Sequence, residues 1–431
     1  MVDLWLKDCK IVPENSIISI GLAKGKIVSL KKIAPRREEC INLREKVILP
    51  GLIDCHVHFR DPGLTYKENF RTGTMAAACG GFTTVMDMPN TKPATNTTRA
   101  FKEKLRIAEH KSLVNFALHA GVGRLKDIEG VNKLNPASFK IFMDLLSDHE
   151  LEEIFAAIGK IGDKKNHITL HCEDKEIVEK YTQKYQGKGK INSEIYADAR
   201  PPLAETIAVN KAVHLARKYD LKIHICHITL QETLDIIKEA GKLGVQVTSE
   251  ITPHHLLLNS SYLQKCGNLA KTNPPLRSGD VKLDLNNLDR IDAISTDHAP
   301  HTTAEKEENI WNAPPGIPNL ETTLPLLLTQ INENNLSFNQ LKNLLCDKPA
   351  DIFHLEGKGH IEMGADADLV VVDMKKEEVI NPSQFKSKAK YSPFKGFKIK
   401  GMPVLTLCGG EIVMEEGEVF KNQGEFVYKK E

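Results

Sequence analysis

The chain has 431 residues, 41% of them hydrophobic, enough for one large domain or two modest ones with a sizeable core and no need of disulfides. Lys+Arg (58) and Asp+Glu (57) nearly cancel to a formal charge of +1, so nothing electrostatic points to nucleic acid or an anionic membrane surface as partner. The charged start, Met1-Val2-Asp3-Leu4-Trp5-Leu6-Lys7-Asp8, lacks a secretory apolar stretch, no apolar run approaches the roughly 18–20 residues of a membrane span, and the nine cysteines show no CxxC spacing; free thiols in a cytoplasmic protein are expected.

In chain order, short turn-bounded strands are expected at 17–21 and 25–30. Similar stretches recur near the other end, at 367–373, 404–407 and 411–414. Two β-rich ends around a different middle predict one small β-sandwich built from both termini, from 1–47 and 357–431. Between them, strand-like segments recur at 52–59, 83–88, 114–119, 139–142, 168–172, 223–227, 245–251 and 291–295. Helical patterns separate them, at 99–109, 203–218 and 230–240 among others. Eight strands alternating with helices predict a (β/α)8 barrel over 48–356; the competing arrangement is an open doubly wound sheet. No GxGxxG or phosphate-binding loop follows any strand, which weakens a nucleotide-binding reading.

Ligand-type side chains collect where these strands end, and strand C-termini in a barrel converge on one site. Strand one ends in His56-Val57-His58-Phe59-Arg60. Side chains at i and i+2 share a face of a strand, so two imidazoles would aim at one point, as a transition metal requires. Arg60 follows on the same even-numbered face as a fork suited to a carboxylate. His171 ends strand five, and Asp297 ends strand eight in Ser295-Thr296-Asp297-His298. Strand six carries His224 and His227, on opposite faces by parity. His227, nearer the C-terminal end, is the better ligand, and His224 is expected to pack outside or to cap. Lys140 lies within the apolar strand Phe139-Lys140-Ile141-Phe142, where an ammonium is costly. An uncharged lysine amine can take up carbon dioxide as a carbamate, whose two oxygens suit two cations; the bland alternative is a lysine snorkelling to a salt bridge. Cys55, Cys172 and Cys226 have the parity opposite to the histidines and read as packing residues. His254 and His255 follow strand seven and are not assigned to metal.

Five segments in order resemble the dihydroorotases, of the cyclic amidohydrolase branch of the amidohydrolase superfamily: Asp54-Cys55-His56-Val57-His58-Phe59-Arg60-Asp61-Pro62-Gly63, Asp87-Met88-Pro89-Asn90-Thr91, Lys271-Thr272-Asn273-Pro274-Pro275-Leu276-Arg277, Ser295-Thr296-Asp297-His298-Ala299-Pro300-His301 and the stretch from Pro314 to Thr322. The resemblance implies two Zn2+ per chain. His56, His58 and Asp297 would hold one, His171 and His227 the other, bridged by N6-carboxylated Lys140 and a hydroxide; Asp144 is the alternative bridge. It implies Arg60, Asn90, Asn273 and His301 around a substrate carboxylate, the backbone of Pro315 and Gly316 against ring amides, and Asp297 as the proton carrier. The implied reaction interconverts L-dihydroorotate and N-carbamoyl-L-aspartate in pyrimidine synthesis. The loop 143–149 takes the place of a mobile loop in relatives, but its residues match poorly and carry no assigned role. The rivals are an allantoinase or hydantoinase, and a non-catalytic scaffold. A hydantoinase would carry a tyrosine shortly after the bridging lysine, whereas Ile141, Phe142 and Met143 follow here. The sequence leaves the oligomeric state open; the resemblance admits a homodimer and an association with aspartate carbamoyltransferase.

Overall fold

The computed structural model describes residues 2–33, 39–162, 167–186 and 193–428. Its centre is a closed parallel barrel of eight strands: β1 (Leu52–Val57), β2 (Phe82–Asp87), β3 (Asn115–Leu118, continued by Ala120–Gly121), β4 (Phe139–Phe142), β5 (His167–His171), β6 (Lys222–Ile225), β7 (Val247–Ile251) and β8 (Ala293–Ile294). Each pairs in parallel with the next, and a parallel bridge from Val57 to His298 joins the last to the first. Such strands are covered on both faces, which is why β1, β2 and β5 are buried at every position.

The helices close over the barrel where the sequence pattern places them. Thr98–Lys111 starts at Thr97, whose side chain accepts from the Ala100 N–H; Pro202–Tyr219 starts on a proline. A second sheet of nine strands takes members from both ends of the chain. Leu369–Val379 pairs antiparallel with Val47–Pro50 on one side and with Lys398–Cys408 on the other; Leu4–Ile11 follows beyond Val47–Pro50. The apolar run 47–53 is thus divided between two sheets at Gly51. A Cβ on Gly51 would lie 2.1 Å from Thr83 Oγ1, so only glycine lets the chain step directly from the outer sheet into β1. Leu6, Ile20, Leu22, Ile48, Leu369 and Leu407 form the outer sheet's own core.

Among the described residues no helix is long and apolar enough to cross a membrane, and all nine cysteines are free.

A buried ion pair fixes the two strand ends that carry Arg60 and Asn90. Lys104 Nζ lies 2.5 Å from Asp87 Oδ2 and donates to Met88 O at 2.7 Å, while Asp87 Oδ1 accepts from the Phe59 N–H at 2.6 Å. Both side chains are fully buried. Lys104→Met would leave the carboxylate buried without its partner. It should lower the unfolding free energy by about 3–5 kcal/mol, measured by denaturant unfolding; a loss below ~1 kcal/mol would show that the pair is dispensable.

Candidate active site

The strand ends of the barrel open into a cavity of ≈ 270 Å³. His56, His58, His171, His227 and Asp297 line its floor; Arg60, Asn90, Asn273 and His301 line its sides with Pro315 and Gly316. Lys140 lies at the edge of the floor, buried, and lines the adjoining pocket with Asn90 and Phe142. All twelve residues singled out in the sequence therefore meet at one end of the barrel.

Three of them sit in left-handed backbone: Arg60 (φ 61), His227 (φ 34) and Asp297 (φ 44). Each follows the last paired residue of its strand, and the turn swings the side chain back toward the barrel axis. Non-glycine residues are held this way only where the surroundings over-determine them, commonly at functional sites. The same turn corrects the parity reading of strand six. β6 ends at Ile225, so alternation stops before His227. His224 is not outside but wholly buried, with Nδ1 against Thr248 Oγ1 (2.8 Å) and Nε2 against Glu250 Oε2 (3.1 Å). Cys226 also turns inward, 2.8 Å from Lys140 Nζ, and Cys55 lies 3.2 Å from Glu250 Oε2. Burial raises both thiols well above their ordinary range, which makes them poor nucleophiles.

His56 Nε2 and His58 Nε2 stand 3.4 and 3.0 Å from Asp297 Oδ1. Burial opposes a charge on Asp297, but His56, His58 and His227 outweigh it and hold the carboxyl well below its usual range. His58 is pushed down to about 4, chiefly by burial, with the Asp297 contact opposing. Its Nδ1 meets Asn90 Oδ1 at 2.7 Å, which leaves the Asn90 amide hydrogens for the cavity. Across the floor, His171 Nδ1 faces His227 Nε2 at 3.1 Å, and burial holds His227 far below its ordinary range. His227 Nδ1 has no hydrogen-bond partner among the described residues. Imidazole nitrogens facing one another beside a carboxylate form a donor set for a divalent cation, and the ligand atoms of His56, His58 and Asp297 lie within 4.8 Å of one another. The residues fit a metal.

The side wall is cationic. Lys67 Nζ, a donor only, faces His301 Nδ1 at 3.1 Å. That nitrogen must accept, so Nε2 carries the hydrogen and donates to Pro315 O at 3.0 Å. Burial, with Arg60, Lys67 and Lys306 adding, keeps His301 neutral. Arg60 Nη2, 3.2 Å from that same Nε2, therefore faces another donor, and Arg60 Nε has no partner among the described residues. The guanidinium is buried with Nε unpartnered among the described residues and Nη2 against a donor, a state that an anion would complete.

Two groups escaped the sequence reading. Glu250, next to last in β7, accepts from His56 Nδ1 at 2.5 Å and pairs with His224 through its other oxygen. Burial opposes its charge, yet His56 and His224 hold it well below the carboxylate range. Lys140 is conspicuous as the one charged residue in the apolar strand Phe139–Phe142; Glu250 is not, because Thr248 and Ser249 precede it in β7. Arg200 gathers Asp144 (3.0 Å) and Glu173, and its Nη2 donates to Asn273 Oδ1 at 3.2 Å. Asp144, the alternative bridge, is thus engaged by an arginine, 3.7 Å from His171 Nε2. Nothing in sequence links Arg200, on a helix–helix turn, to the cavity.

Glu250 fixes the His56 tautomer with Nε2 toward the cavity. Glu250→Gln should weaken divalent-metal binding about 10- to 100-fold by chelator competition; unchanged affinity would reduce Glu250 to a packing role.

Comparison with known proteins places this site in a family. The amidohydrolase family profile matches residues 47–413. Dihydroorotase of Methanosphaera stadtmanae is 44% identical over 435 residues, covering 99% of this chain and 100% of that protein. Dihydroorotase of Bacillus cytotoxicus is 35% identical over 416 residues, covering 94% and 96%. Among solved structures, the L-hydantoinase (dihydropyrimidinase) of Arthrobacter aurescens superposes with a TM-score of 0.94 at 31% identity, covering 99% and 100%. With its metal-fitting floor, its barrel and these near full-length relatives, the chain belongs to the amidohydrolase family, in the branch of the dihydroorotases.

Proposed function

We propose that the chain is a dihydroorotase, opening the ring of L-dihydroorotate to N-carbamoyl-L-aspartate and closing it again in pyrimidine synthesis. The observation that carries this reading is the buried Arg60 guanidinium, its Nε unpartnered among the described residues, beside an Asn90 amide whose oxygen is taken by His58. A hydantoin ring has no carboxylate to pair with that guanidinium; dihydroorotate has one. The curated relatives of this chain carry the same activity in their names.

In this reading His56, His58 and Asp297 would hold one zinc ion and His171 and His227 a second, with N6-carboxylated Lys140 as a further ligand. Lys140 in the apolar strand β4, with no carboxylate in ion-pair reach among the described residues, supports a modified amine over a salt-bridged ammonium. The pair of cations, when bound, supplies an activated water and polarises the ring carbonyl. The remaining work falls to the chain. Arg60, Asn90 and Asn273 anchor the carboxylate and so present one ring amide to the floor. Arg200 and Tyr196 hold the Asn273 amide in place. Asp297, whose Oδ1 faces both histidines, takes the proton of the attacking water at Oδ2 and passes it to the ring nitrogen as the C–N bond breaks. The products are a second carboxylate and an open ureido group. We also propose the division 1–47, 48–356 and 357–431; the nine-stranded sheet drawn from both ends supports its outline, although the sheet's strand Val47–Pro50 runs three residues past the first boundary.

The zinc-loaded protein should consume dihydroorotate, followed by ultraviolet absorbance, and leave hydantoin and allantoin essentially untouched. The opposite preference would make it a hydantoinase or allantoinase, and two bound metals without turnover of any cyclic amide would make it a scaffold. Arg60→Gln should raise KM for dihydroorotate about 10- to 100-fold, the worth of its charged hydrogen bonds. Lys140→Ala should lose at least about 1,000-fold in kcat, with partial recovery in short carboxylic acids; full activity would remove the bridge.

A further inference from the structure

The wall that carries Pro315 and Gly316 is held by donors from three separate parts of the chain. Lys271 Nζ donates to Ile310 O at 2.5 Å and to Ala313 O. Lys306 Nζ donates to Pro314 O at 3.0 Å and to Gly316 O at 2.9 Å. Tyr391 donates its hydroxyl to the same Gly316 O at 3.1 Å, and the Gly316 N–H is taken by Lys271 O at 2.8 Å. Pro314 and Pro315 have no N–H. Hydrogen-bond accounting over this wall leaves little for a ligand. Both lone pairs of Gly316 O and its N–H are engaged, whereas Pro315 O accepts only from His301 and keeps one lone pair. Gly316 cannot relax by substitution either: its φ is +143, and a Cβ would stand 2.3 Å from Ala299 O.

Tyr391 arrives from far away in the chain, on the segment that links Leu369–Val379 to Lys398–Cys408 of the outer sheet. That segment is clasped to the barrel mouth by Ser387, whose hydroxyl donates to Glu68 Oε2 at 2.5 Å, and by Lys388 Nζ, which donates to Thr65 O at 2.5 Å. Tyr391 and Lys306 are 5% and 3% exposed, so water does not compete for the Gly316 carbonyl.

We infer that Lys306 and Tyr391 are positioning residues for the substrate ring: by saturating the Gly316 carbonyl they leave Pro315 O, of the Pro315–Gly316 pair that lines the cavity, as the carbonyl with a spare lone pair among the described residues, and so fix the register in which a ring N–H docks. The inference rests on the cyclic-amide reading above and deepens it. With the carboxylate anchored at Arg60, a ring that could choose between two neighbouring acceptors would bind in two registers, one of which holds the scissile amide away from the floor.

The test is steady-state kinetics of Tyr391→Phe, which removes only the hydroxyl, beside wild type. A competing unproductive register lowers kcat and KM together and leaves kcat/KM nearly unchanged. About fivefold in each is expected, the factor one net hydrogen bond carries, with metal content and melting temperature as in wild type. Lys306→Met, which frees the second lone pair, should move both constants further in the same direction. Wild-type constants in Tyr391→Phe, or a fall in kcat with KM unchanged or raised, would overturn the positioning role. Failure of the wild-type protein itself to turn over dihydroorotate would instead overturn the underlying reading, and the inference with it.

Discussion

The seam between β1 and β8 is the constraint on which the catalytic end depends. A barrel must close, and here the last strand is only two residues long. Asp54 supplies what the short ladder lacks: Oδ1 accepts from the backbone N–H of His56 and of Thr296, both at 3.1 Å, and Oδ2 from the Thr296 hydroxyl at 2.5 Å. The His58 N–H then donates to His298 O at 2.9 Å. Burial pushes Asp54 up to about 7 and these hydrogen bonds pull against it, so the staple is tuned by its own donors. The consequence is positional. The two histidines of β1 are brought against Asp297 of β8, and no other pair of strands would present them together.

From that seam the site divides into a floor and a wall with different chemistry. The floor is made of imidazoles around one carboxylate, backed by Glu250 and His224 below. The wall is cationic and incompletely paired, with Arg60 buried and unsatisfied beside a neutral His301. The wall is where selection of an anionic ring can arise, because only a carboxylate offers two acceptors to a planar guanidinium. Division of labour of this kind lets one barrel serve several cyclic amides by changes at strand ends and loops.

Much of this was legible in the sequence because barrel strands are short, apolar and regularly spaced. His56, His58, His171 and Asp297 could be named since a polar ligand at the end of an apolar strand has few other uses. Lys140 stood out for the same reason. Parity failed where strands end in left-handed turns: His224 was expected outside and lies within, because alternation ceases at Ile225. Glu250 carries no signal like that of Lys140, because Thr248 and Ser249 beside it make β7 polar. Arg200, Lys306 and Tyr391 were beyond reach in a physical sense. Their partners lie in other segments, and a lysine or tyrosine in a loop shows no pattern until the chain is folded.

The account stands on the claim that a carboxylated ring completes the Arg60 wall. The most direct test is the ratio of kcat/KM for dihydroorotate to that for dihydrouracil, the same ring without its carboxylate, on the zinc-loaded protein. A site built to pair a buried fork should reject the neutral ring by about 10,000-fold. Comparable rates on the two rings would contradict the account, and would leave the fold and the floor intact while removing the reason for the wall.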